Sequence, residues 1–166
     1  MKIEVICGDI VAQPDAMAIV NSANTYLRPS TGLAGAIHKA AGPQLADYCA
    51  PFAPLKLGTA MISPGFLLPN PWVIHTCAAH YHLEFNATKI MADALHSMLK
   101  LACEKKIRSL AIPAIGIGVF QFPLDLAAQM TAKALFSPEW KDSFDWVRFC
   151  VSSPLIQDAY SVALLG

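Results

Sequence analysis

The stretch Ser109-Leu-Ala-Ile-Pro-Ala-Ile-Gly-Ile-Gly-Val-Phe-Gln-Phe-Pro123 carries the reading of the fold. Ser109 to Ile112 is an apolar run of strand length, and Pro113 ends it. Ala114 to Phe122 is a loop of small and apolar residues. Pro123 then stands where proline suits a helix best, in its first turn, because the N–H it lacks would have no partner there. The loop contains Gly116 and Gly118, whose missing side chains let backbone N–H groups come close to a ligand. Successive N–H groups ahead of a helix N-terminus form an anion site. The same two glycines also suit a tight strand-to-helix turn with no ligand, and both readings stand at this point.

Outward from this stretch, short apolar runs keep alternating with longer helical patterns. Lys2 to Cys7 and Met17 to Asn21 read as strands. A polar loop runs from Ser22 to Gly32. Leu33 to Tyr48 reads as a helix with Ile37, Ala40, Ala41 and Leu45 on one face. Pro51 to Pro54 breaks the pattern. Gly58 to Ser63 and Trp72 to Cys77 read as strands joined by Pro64-Gly65 and Pro69-Asn70-Pro71 turns. Asn86 caps a long helix to about Lys105, with Ile90, Ala94, Met98 and Leu101 as its buried stripe, and Met91, Leu95 and Met98, also at helical spacing, read as core. Phe144 to Val151 is the last strand and Pro154 to Leu165 a closing helix. This alternation predicts an α/β fold with helices on both faces of a sheet. Strands that are apolar throughout fit burial on both faces. In such sheets the ligand crevice lies beyond the carboxyl ends of the strands. The loops Ser22–Gly32 and Ala114–Phe122 are therefore its expected walls.

Composition narrows the function classes. The 166 residues fit one domain spanning 1–166. A chain with 55% hydrophobic and 14% charged residues is neither disordered nor a coiled coil. Twelve basic residues balance twelve acidic ones, which argues against a nucleic-acid partner. No apolar run reaches the ~18–20 residues of a membrane helix, and the start is charged too early for a signal peptide. Five dispersed cysteines without a Cys-x-x-Cys pair read as reduced thiols in a cytoplasmic protein. His75, Cys77, His80 and His82 have zinc-ligand chemistry but read as structural, so neither metal nor cofactor is expected. His38 reads as a helix residue bonded to a neighbouring loop, with a role as a base as the alternative. Oligomeric state is not readable.

Two further polar residues carry recognition chemistry. Asp9 follows Gly8 directly after the first strand; its carboxylate can accept from an exocyclic amine such as adenine's, or simply stabilise a turn. Asn24 closes Asn21-Ser-Ala-Asn24; its amide can donate to and accept from a ribose diol, or satisfy loop backbone groups. Neither loop ends in the Lys-Ser/Thr of a P-loop, which excludes nucleotide hydrolysis of that type.

At these residues the sequence resembles the macrodomain family of ADP-ribose-binding modules. The matching pieces are Gly8-Asp-Ile10, Ala18-Ile-Val-Asn-Ser-Ala-Asn24, Gly32-Leu-Ala-Gly-Ala-Ile-His-Lys-Ala-Ala-Gly42, Gly58-Thr-Ala60, Val73-Ile-His-Thr76 and Ile112-Pro-Ala-Ile-Gly-Ile-Gly-Val-Phe120, in the family's order. The resemblance implies a three-layer α/β/α sandwich around a mixed sheet of about six strands. It implies ADP-ribose, or a mono-ADP-ribosylated protein, as partner. Asp9 would hold the adenine amine with help from the Ile10 backbone. Asn24, beside Ala23, would bind the distal ribose and orient water as the one catalytic candidate. Gly32, Leu33 and Ala34 would wall the diphosphate cleft. Ala114, Ile115, Gly116, Ile117, Gly118 and Val119 would supply the opposite wall and its N–H groups, with Phe120 on the distal ribose. Ser152 to Leu155 would lie near adenine.

Two departures from the family pattern bear on activity. Ala34 stands where many hydrolytic members carry an Asp assigned to water activation, so that base is missing; members with Ala there also resemble hydrolases. Pro29-Ser30-Thr31 stands where glycines are common. The resemblance implies ADP-ribose binding, with hydrolysis of an ADP-ribosyl ester or of O-acetyl-ADP-ribose as its extension. The alternative is a non-catalytic protein-interaction domain with a degenerate pocket.

Overall fold

The computed structural model describes residues 1–166. Six apolar runs form one sheet: β1 (Lys2–Cys7), β2 (Ala18–Ser22), β3 (Ala60–Pro64), β4 (Trp72–Thr76), β5 (Ser109–Pro113) and β6 (Trp146–Val151). Their order is β1-β6-β5-β2-β4-β3. All neighbours are parallel except the edge pair β3 and β4, so the sheet is mixed. The helices are α1 (Gly32–Ala41), α2 (Gln44–Cys49), α3 (Ala87–Glu104), α4 (Leu124–Leu135) and α5 (Pro154–Leu165).

Alternation along each strand sorts the core into two. Ala18, Val20, Ile74, Leu110, Ile112, Val147 and Phe149 point to the face covered by α3, α4 and α5. Their sequence neighbours Ile19, Val73, Ala111 and Cys150 point to the face covered by α1 and α2. Side chains one residue apart on a strand must point opposite ways, so strands apolar at every position need helices on both sides. The result is the expected α/β/α sandwich. Five parallel strands end at one edge, and that edge gathers the loops after β1, β2, β5 and β6.

Three expected elements differ in detail. The helix anticipated over Leu33–Tyr48 is two helices. Gly42 donates back to the His38 carbonyl and turns away at φ +86°, and Pro43 has no N–H to continue the ladder. On α3 the buried stripe is Met91, Ala94, Leu95, Met98, Leu99 and Ala102, while Ile90 and Leu101 are only half-buried. The stripe is rotated because the i, i+3, i+4, i+7 rows through Met91, rather than Ile90, face the sheet. Asn86 stands at the N-cap of α3, but its side chain makes no cap bond. Phe144 lies before the ladder, which begins at Trp146, yet it is buried in the core.

Candidate functional site

The loops after β2 and β5 face each other across a cleft of about 530 Å³ at the carboxyl edge of the sheet. That is within the ~300–1,000 Å³ usual for small-molecule sites. One wall is Ser30, Thr31 and the first turn of α1, from Gly32 to Ala34; the other is Ala114 with Ile117 to Phe120. Asn24 lies between them, and Cys150 and Ser152 at the end of β6 close the floor.

Both walls present open backbone donors. The first four N–H groups of any helix lack intrahelical partners. At α1 the Thr31 side chain makes no cap bond either, so those of Gly32 to Gly35 stay free. On the opposite wall the N–H groups of Gly118, Val119 and Phe120 donate to no acceptor in the chain. No Lys, Arg, Asp or Glu lines the cleft. Its electrostatics therefore come from aligned dipoles, which favour an anion between the walls.

The walls are held in different ways. Gly35 allows the first loop to lie against its own helix: a Cβ there would stand 1.9 Å from the Ser30 carbonyl oxygen. Asn24 ties the same loop, accepting from Arg28 N at 3.2 Å and donating to Arg28 O at 2.8 Å. Its amide keeps one hydrogen and one lone pair free for a ligand. The second loop is tied by its own backbone, with Phe122 N donating to Gly116 O at 3.0 Å and Gln121 N to Gly118 O at 3.0 Å. Gly116 and Gly118 both sit at φ +87°, where a side chain is strained. A Cβ on Gly116 would press on Met91 and Phe122 at 3.2 Å, whereas one on Gly118 would meet nothing within 4 Å.

The remaining expected residues fall around the cleft rather than on its surface. Ala23, Ile115 and Gly116 are buried beneath it, and Ile10 is buried in the core under the loop after β1. Asp9 is exposed; one carboxylate oxygen accepts from Val11 N at 3.1 Å and caps a 3₁₀ turn over Ile10–Ala12. Gly8 N donates to Val151 O at 3.2 Å, which sets this loop beside the Ser152 end of the cleft. The thiol of Cys150 is pushed up to about 11, first by burial and further by carboxylates that include Asp9. It is a neutral group of the floor at pH 7.

Sequence reading missed Ala36 and Cys150 as lining residues. The signal for Cys150 was available: it lies at the carboxyl end of a parallel strand, where crevices form. His38 corrects an expectation. It is buried with neither ring nitrogen bonded, so the expected loop bond is absent, and it lines no part of the cleft. The four zinc-type residues do not gather. His75 is buried between Asn21 Nδ2 at 3.1 Å and Ser63 Oγ at 2.9 Å, while His80 and His82 lie together on another turn. Burial pushes His75 down to about 3, so its ring is neutral. No helix is long and apolar enough to cross a membrane.

Residues 20–131 match the family model of the Macro domain. The chain belongs to the macrodomain family. A macro domain-containing protein of Lactiplantibacillus plantarum is 41% identical over 81% of this chain and 78% of its own. The ADP-ribose glycohydrolase MACROD1 of Bos taurus is 38% identical over 90% of this chain, which spans 47% of that longer protein. Among solved structures, the Oceanobacillus iheyensis macrodomain with ADP superposes at a TM-score of 0.90 with 28% identity, covering 98% of this chain and 90% of that one. The Trypanosoma brucei macrodomain in complex with ADP-ribose gives 0.89 with 27% identity, covering 99% and 69%. In this macrodomain, then, the cleft with its two facing rows of N–H donors is the site to interpret.

Proposed function

We propose that this macrodomain binds ADP-ribose, free or attached to protein, with the diphosphate between the N-terminus of α1 and the Gly118–Phe120 amides. The observation that carries this reading is the pair of open N–H rows on opposite walls of one cleft. A diphosphate has two phosphoryl groups to share between them, and helix dipoles stabilise such charge without a cation. Asp9, next to the β6 end, has one carboxylate oxygen free of the turn it caps and is suited to an adenine amine. Half-buried Phe120, at the other wall, is suited to pack on the distal ribose. The relatives solved with ADP and with ADP-ribose support the same ligand class.

Hydrolysis is a second reading, favoured by the relative named ADP-ribose glycohydrolase. The cleft lining has no general base for it. Ala34 carries no titratable group, and the Cys150 thiol is held at about 11. Catalysis would rest on positioning: Asn24 orienting water, and fixed N–H dipoles stabilising charge on the phosphates and leaving group.

Calorimetric titration with ADP-ribose, ADP and ribose-5-phosphate tests the binding reading. Micromolar binding of ADP-ribose, about −8 kcal/mol, exceeding that of ADP and ribose-5-phosphate, is expected. No heat at millimolar ligand would overturn it and favour an interaction domain with a degenerate pocket.

A further inference from the structure

We propose that the groove between α4 and α5 is a docking site for a short amphipathic helix of another protein, one whose apolar face is edged by Lys or Arg. The two helices pack side by side and leave an open trough of about 590 Å³. Leu124 of α4 and Leu155, Ala159 and Val162 of α5 make its apolar surface, and Asp125 and Asp158 are its only charged side chains. It shares no lining residue with the ADP-ribose cleft.

The outer face of α5 is apolar where a surface helix is normally polar. Tyr160 and Leu164 are its buried residues. Leu155 and Val162 are seven residues apart, hence on one side of the helix, and they are 71% and 74% exposed. Ala159 lies between them, four residues after Leu155 and three before Val162, and joins them into one stripe. The stripe runs about 10 Å along the helix axis, or two turns. An i, i+4, i+7 stripe beside a trough is the surface that a partner helix covers when it lays its own apolar face into a groove.

Charge selects the partner. Asp158 stands within this stripe, between Leu155 and Val162. Asp15, Asp93 and Asp145 are exposed too, and each has a cation beside it, in Arg148, Lys89 and Arg108. Neither Asp125 nor Asp158 has one. Asp125 lies in the first turn of α4, where the helix dipole stabilises a carboxylate. Asp158 is in the middle of α5 and has no such compensation. A partner that brings Lys or Arg to the edge of the trough supplies the missing charge. A second copy docked about a two-fold axis would instead set the same aspartates against each other. A nucleic acid is opposed for the same reason.

The test is a selection of peptides of about 15 residues from a random displayed library against the whole chain, followed by anisotropy titration of the synthetic consensus. The consensus is expected to carry apolar residues at i, i+3 or i+4, and i+7, flanked by Lys or Arg. It should bind Val162→Ser and Asp158→Lys about tenfold more weakly than the wild type. The same peptide with Glu in place of its Lys and Arg should bind Asp158→Lys more tightly than it binds the wild type. Both positions are exposed, so thermal melts of the variants should match the wild type. A selection that yields no binder, a consensus without basic residues, or binding unchanged in either variant overturns the proposal. So does a wild-type dimer in sedimentation velocity that dissociates in Val162→Ser, because a second copy is then the occupant.

Discussion

The two walls of the cleft offer the same chemistry from unlike constructions. The first is a polar loop fastened by side chains and by a close approach: Asn24 clasps Arg28, and the Ser30 carbonyl rests where Gly35 has no Cβ. Behind it lies a buried polar layer of Asn21, His38, Ser63 and His75. The second is an apolar loop fastened by its own backbone, with Gly116 pressed onto Met91 and Phe122 of the main core. Open N–H groups need only a backbone held away from other acceptors, and either construction achieves that. The walls differ in what should break them.

The largest effect is expected from Gly35→Ala, because the obstacle is a backbone oxygen that cannot rotate away. A loss of about 3 kcal/mol in urea unfolding, with ADP-ribose affinity falling as the first wall shifts, is the expected outcome. Unchanged stability would mean that the Ser30 carbonyl does not rest there.

Acid should act on the first wall next. Folded His75 is depressed to about 3 from 6.5, and burial also lowers His38. A histidine kept neutral by burial binds its proton more readily when unfolded. Stability from this source is therefore complete above about pH 6.5 and falls as the pH drops toward 3, by up to about 1.4 kcal/mol per pH unit for each such histidine. Unfolding free energies at pH 7 and pH 4.5 should differ by about 2–3 kcal/mol through His75 alone. Hydrogen exchange at pH 4.5 should show α1 and α2 opening before β5 and α4.

Smaller effects separate two glycines of the second wall. Gly116→Ala combines left-handed strain with pressure on Met91 and Phe122 and should cost about 2 kcal/mol. Gly118→Ala carries only the strain, about 1 kcal/mol, but puts a methyl group at the cleft surface and should weaken ADP-ribose more than it weakens the fold. Asn24→Ala should cost about 1 kcal/mol in stability through its two exposed loop bonds. It should weaken ADP-ribose more than it weakens ADP, which lacks the distal ribose. Thermal melts with and without each ligand separate these outcomes.

The second wall was the more legible in sequence because its turn signals are local, although Met91 and Tyr81 also hold it from elsewhere in the chain. A strand ending at Pro113, two glycines and Pro123 before α4 lie within fifteen consecutive residues. β1 and α5 have their anticipated bounds for the same reason, with Gly8-Asp9 ending one and Pro154 starting the other. The first wall was less legible. Its helix start at Gly32 was readable, but the split at Gly42-Pro43 was hidden by apolar periodicity that continues into α2. The unbonded burial of His38 and the place of Cys150 in the floor depend on which strands lie side by side, and β6 joins the sheet from far along the chain. Local pattern reports a side chain's face; it does not report the partners that long-range pairing brings to that face.

The central claim is that both walls supply backbone donors to one ligand. Amide chemical shifts of ¹⁵N-labelled protein, followed during titration with ADP-ribose, test it most directly. The account predicts saturable shifts, with a common dissociation constant, at Gly32 to Gly35 and at Gly118 to Phe120. Shifts confined to one wall, or absent from both, would contradict it.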